Sequence, residues 1–102
     1  FFLHISKDEQ RERLQERIDN PKKNWKFRAG DLDERKLWGD YQDAFEDMVA
    51  KCNTETAPWH VVPADHKWYR DVVVAQALID RLEALDLRYP PAEEGLKGLK
   101  VE

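Results

Sequence analysis

The chain opens on a nearly continuous apolar run, Phe1 to Ile5 (FFLHI). So short a run with no polar alternation predicts a strand covered on both faces, as in parallel sheets. The pattern then changes at once. Ser6 and Glu9 form an S-x-x-E pair that predicts a capping box. The helix it opens reaches about Ile18 and is stopped by Asn20-Pro21. Only Leu14 and Ile18 form an apolar pair at i,i+4, so this helix offers little to a core. Pro21 to Gly30 (PKKNWKFRAG) reads as a basic loop carrying two aromatics. From about Asp31 to Cys52, Leu37, Tyr41, Ala44, Phe45, Met48, Val49 and Cys52 keep helical spacing and predict one long helix. After a connector, Trp59 to Ala64 (WHVVPA) predicts a second strand that Pro63 should end. Asp65 is placed to cap the last helix, which runs to about Leu85 with Val72, Ala75, Leu78, Ile79, Leu82 and Leu85 on its buried face. Pro90-Pro91 and the Glu/Gly/Lys segment beyond them predict a flexible tail over residues 90–102.

The order is therefore β-α-α-β-α, an α/β chain with a parallel sheet. Two strands make a poor sheet, which leads us to expect further strands and upstream sequence before Phe1.

Composition refines this picture. Charged residues make up 37% of the 102, yet 41% are hydrophobic with 4 Trp, which argues against disorder. The net charge of -4 is unevenly spread. Phe1 to Gly30 holds 8 Lys/Arg against 5 Asp/Glu, whereas Asp31 to Ala57 holds 3 against 8. A basic segment inside an acidic chain suggests a local anion site rather than nucleic-acid binding, which usually shows a basic domain. Cys52 is the only cysteine, so no intrachain disulfide forms. No apolar run reaches the ~20 residues of a membrane helix. A cytoplasmic location is the default expectation.

The candidate chemistry gathers in that basic segment. Arg11, Arg13, Arg17, Lys22, Lys23, Lys26 and Arg28 lie within one helix and its following loop, and Arg13 and Arg17 share a helix face at i,i+4. Guanidinium forks match phosphate oxygens, and lysines add mobile point charge. On composition alone the better reading is a solvated helix laced with pairs to Glu12, Glu16 and Asp19. Trp25 is expected to pack its loop against the body of the protein, with stacking on a base or cation as the other option. Asp65, His66 and Lys67 fall where a strand ends and a helix begins, the edge where ligands bind in open α/β sheets. Taken alone, Asp65 is a cap and Lys67 is solvated. His4, His60, His66 and Cys52 have no metal-ligand spacing; His4 and His60 read as packed imidazoles and Cys52 as an inert thiol on an apolar stripe. No G-x-x-x-x-G-K-[ST] occurs.

The stretches FFLHISKDEQRERLQERI, NPKKNWKF with GDLDER, LWGDYQDAFEDM and APWHVVPADHKWYRD carry a resemblance to the family-2 polyphosphate kinases over about Phe1 to Tyr89. That resemblance implies the C-terminal part (residues 1–89) of a thymidylate-kinase-like P-loop kinase, with residues 6–30 as a helical lid and basic loop. It implies transfer of phosphate between inorganic polyphosphate and a nucleoside mono- or diphosphate, with magnesium. A homo-oligomer is expected, with no nucleic acid or membrane as partner. Arg13 and Arg17 match the family's Q-x-x-R-x-x-x-R pattern and are the expected catalytic arginines. Lys22, Lys23 and Lys26 fall in its P-x-K-x-W-K stretch and, with Asp65 and Lys67, are the expected substrate-binding residues. The Walker A lysine and Walker B aspartate have no counterpart in these residues, so magnesium would be held mainly elsewhere. The runner-up is a non-catalytic module that binds polyanions.

These 102 residues alone, incubated with polyphosphate, magnesium and AMP or ADP, should show no turnover, because nothing cradles the phosphates or holds the metal. Turnover at ordinary kinase rates would contradict it.

Overall fold

The computed structural model describes residues 1–101. The elements, in order, are β1 (Phe2–His4), α1 (Lys7–Asp19), a 3-10 turn (Asn24–Lys26), α2 (Gly30–Lys36), α3 (Trp38–Cys52), β2 (Val61–Pro63) and α4 (Lys67–Ala84). The predicted mixed α/β order holds. β1 and β2 pair in parallel, with Phe2 opposite Val61, Leu3 opposite Val62 and His4 opposite Pro63. Pro63 is the last residue of its strand, where its missing N–H costs the ladder nothing. The ladder is extended at both ends: Phe2 N–H donates to the His60 carbonyl and Ala64 N–H to the His4 carbonyl, each at 2.8 Å.

The expected single helix from Asp31 to Cys52 is two. Leu37, at φ -84° and ψ 17°, leaves the helical ψ range and ends α2 as it begins α3. Leu37 N–H bonds back to the Glu34 carbonyl in a tightened last turn. The Tyr41 hydroxyl then donates to the Glu34 carboxylate across the break. Apolar spacing continues through Leu37, which is why periodicity alone reads one helix.

The core is small. Among the described residues, only Leu14, Val62 and Ala64 are buried. The expected buried face of α4 is open: Val72, Leu78, Ile79, Leu82 and Leu85 are all exposed. Val73, Val74 and Ala77 are the half-buried positions of that helix. Cys52 is likewise exposed, not tucked into a stripe. The radius of gyration is 22.3 Å, against about 13 Å for a compact chain of 100 residues. The elements thus hold their local geometry while presenting apolar surface along α4 and the sheet.

Exposed apolar surface of this extent drives association. Sedimentation of the chain should show a mass that rises with concentration, and its melting temperature should rise likewise. A monomer whose sharp transition is independent of concentration would contradict this.

Candidate functional site

The parallel register sets the carboxyl ends of β1 and β2 side by side, so the segments leaving them are neighbours. Ser6 leaves β1 and Asp65 leaves β2. Ser6 caps α1 as expected, its Oγ accepting the Glu9 N–H at 3.1 Å. The reciprocal arm of the capping box is replaced. Ser6 N–H donates to Asp65 Oδ1 at 2.7 Å, and the Glu9 carboxylate instead accepts from Arg13 Nε at 2.6 Å. Arg13 Nη2 continues across the gap to the carbonyls of Ala64 at 2.9 Å and Asp65 at 3.1 Å. The Arg13 and Glu9 side chains are 27% and 25% exposed, so this pair is shielded more than a surface pair would be.

Asp65 does not cap α4. The cap position is His66, which makes no side-chain cap bond. The Asp65 carboxylate serves β1's exit instead, and the Ser6 N–H that it accepts holds its pKa below the ordinary 3.8, with Arg13 and His66 adding smaller attractions.

Beside this junction lies a cavity of about 470 Å³ between β1, α1, α2 and α3. Arg13, Arg17 and Arg35 line it together with Asp31, Glu34 and Tyr41. Arg35 is occupied: its Nη1 donates to the Lys7 carbonyl at 2.7 Å and to Gln10 Oε1 at 3.0 Å, fastening α2 to the start of α1. Arg17 differs from both neighbours. It is half-buried, and among the described residues its guanidinium has no ion-pair or hydrogen-bond partner.

The remaining expected cations are spread around the helix end. Lys23 bonds to the Glu16 carboxylate. That bond, more than the weaker pull of Lys67, keeps the Glu16 carboxyl below its ordinary value. Lys67 opens α4 and is exposed, within electrostatic reach of Glu16. Lys22 is exposed, and Lys26 stands over the Trp25 ring, 5.1 Å from its centroid. Trp25 does not pack its loop down: it is 77% exposed. The anchor is Asn24, whose side-chain amide donates to the carbonyls of Arg17 and Ile18 at 2.7 Å each, satisfying orphan groups at the end of α1.

His4 and His60 are exposed, not packed. His4 Nε2 lies 2.7 Å from Gln42 Oε1, and His60 stacks on Phe1 with ring centroids 5.0 Å apart. Among the described residues no group of three or more His, Cys, Asp or Glu could hold a metal ion.

A parallel β-α-β crossover with a charged helix at its carboxyl edge defines an α/β protein. The Polyphosphate kinase 2 (PPK2) family model matches residues 1–90. The chain belongs to that family. It is 53% identical over all 102 residues to the AMP/ADP-polyphosphate phosphotransferase of Meiothermus ruber, covering 38% of that protein. It is 50% identical over 90 residues to the ADP-polyphosphate phosphotransferase of Rhodopseudomonas palustris, covering 88% of this chain and 31% of that protein. The crystal structure of Polyphosphate Kinase 2 from Arthrobacter aurescens TC1 superposes with a TM-score of 0.86 at 51% identity, over 92% of this chain and 34% of that one. The chain thus spans about a third of the length of these relatives.

The depressed pKa of Asp65 fixes a sign. Its carboxylate contributes stability above the ordinary 3.8, and that contribution is lost as pH falls through the lower folded value. Melting temperatures followed from about pH 5 to 2 should therefore fall more steeply for the wild type than for Asp65→Asn. Parallel curves would show that the Ser6 bond does not shift this group.

Proposed function

We propose that the chain is the lid-bearing part of a phosphotransferase that moves phosphate between inorganic polyphosphate and a nucleoside mono- or diphosphate. The supporting observation is the unpartnered Arg17 guanidinium on the cavity of a chain that matches the family over residues 1–90. Relatives named as AMP/ADP- and ADP-polyphosphate phosphotransferases supply the substrate classes. In this reading the phosphate cradle and the magnesium-holding carboxylate lie outside these 102 residues. A cytoplasmic location and a homo-oligomeric state are parts of the same proposal.

The chemistry asked of the chain is electrostatic. Negative charge spreads over the transferring phosphoryl group, and a fixed guanidinium offsets it without moving. Arg17 does this, since half-burial strengthens its field and no carboxylate is paired with it. Lys22 and Lys26 extend the positive surface along the polyphosphate, and Lys67, at the start of α4, adds to it. Lys23 contributes less, because Glu16 already neutralises it.

In the full-length protein, Arg17→Ala should lower turnover by ~10³-fold or more, the scale of an arginine that meets transition-state charge. Its melting temperature should barely change. Arg17→Lys should recover only part of the rate, because an ammonium lacks the planar fork. Near-normal turnover in Arg17→Ala, or loss through unfolding alone, would overturn the assignment. Polyphosphate binding without any transfer by the wild type would favour a non-catalytic polyanion-binding module.

A further inference from the structure

We infer that Asp65 and Arg13 are positioning residues, which lock the root of α1 onto the carboxyl end of β2 and so fix where Arg17 is held. This rests on the reading that Arg17 meets the phosphates. It changes the role of two residues whose sequence context suggests direct contact with substrate.

The geometry carries the inference. Three bonds cross from the start of α1 to the segment leaving β2: Ser6 N–H to Asp65 Oδ1, and Arg13 Nη2 to the carbonyls of Ala64 and Asp65. Their partners are 59, 51 and 52 residues apart in sequence. Ala64 is 2% exposed and hydrogen-bonded to β1 through its own N–H, so it is a fixed point. Arg13 reaches that point from one turn before Arg17 on the same helix face. With its Nε on Glu9 and Nη2 on two carbonyls, Arg13 cannot turn to a phosphate without giving up these bonds. Asp65 in turn holds the first residue before α1, where a small rotation would be magnified along the helix. Arg17 keeps its fork free because Arg13 and Asp65 take the structural load.

A carboxylate that only accepts a backbone N–H can be replaced by an amide oxygen, whereas one that binds magnesium or a nucleotide cannot. In the full-length protein assayed with inorganic polyphosphate, magnesium and ADP, Asp65→Ala should lower kcat about tenfold or more, as roughly ångström-scale misplacement does. KM for polyphosphate should stay within about twofold. Asp65→Asn should restore most of the rate. On an Arg17→Ala background, Asp65→Ala should cause no further loss. An Asn variant as impaired as the Ala variant would overturn the inference, as would the same fold-loss on both backgrounds. If Asp65→Ala fails to fold, Arg13→Lys carries the same background test, since lysine keeps the charge but not the fork.

A readout independent of activity separates this from the underlying assignment. The Arg17 side-chain Nε resonance should shift, and the Ser6 amide should exchange faster, in Asp65→Ala but not in Asp65→Asn. If the wild type transfers no phosphate, the proposed function falls while these signals still report the tether. An unmoved Arg17 signal in Asp65→Ala overturns the positioning role whatever the activity.

Discussion

The Ser6 N–H bonded to the Asp65 carboxylate, with Arg13 bridging beside it, is the constraint on which the arrangement of the site depends. Parallel pairing of β1 and β2 brings the two strand exits together, but three-residue strands give little leverage over the segments that leave them. Apolar burial adds little more, since Leu14, Val62 and Ala64 make up the buried core. Polar bonds across the junction therefore fix how α1 leaves the sheet. The Arg13 bonds among them are half-buried and end on the backbone carbonyls of Ala64 and Asp65, so they are screened less than the exposed pairs Lys36–Asp33 and Lys51–Asp47.

That constraint sorts the cations of the basic segment by what they are free to do. Arg13 faces Glu9 and the end of β2, Arg35 joins α2 to α1, and Lys23 faces Glu16. Arg17 stands between these fixed groups with its fork unused and faces the cavity. A count of positive residues measures attraction for a polyanion. The pairing pattern decides which of them can meet a phosphate at close range.

Much of the fold was legible because its signals are local. FFLHI and WHVVPA announce their strands by composition, Ser6 lies three residues before the N–H it caps, and Asn20 closes α1 where expected. The alternation of strands and helices carried the mixed α/β topology, which the structural match bears out. The rest depends on distant partners. Nothing near Asp65 in sequence says that its carboxylate turns to Ser6 instead of capping α4. Nothing near Arg13 says that it reaches Ala64. Trp25 misled because a tryptophan in a loop usually packs, whereas here Asn24 anchors the turn and leaves the ring exposed. The stripe on α4 was readable as apolar, but periodicity says nothing about whether a partner covers it.

The most direct measurement is a crystal structure of the full-length protein with inorganic polyphosphate bound. Phosphate oxygens should lie within hydrogen-bond distance of the Arg17 guanidinium, with Lys22 or Lys26 lying along the chain. Arg13 should remain on the carbonyls of Ala64 and Asp65, and Ser6 on the Asp65 carboxylate. A polyphosphate held by Arg13, with those bonds broken and Arg17 turned to solvent, would contradict this division of roles.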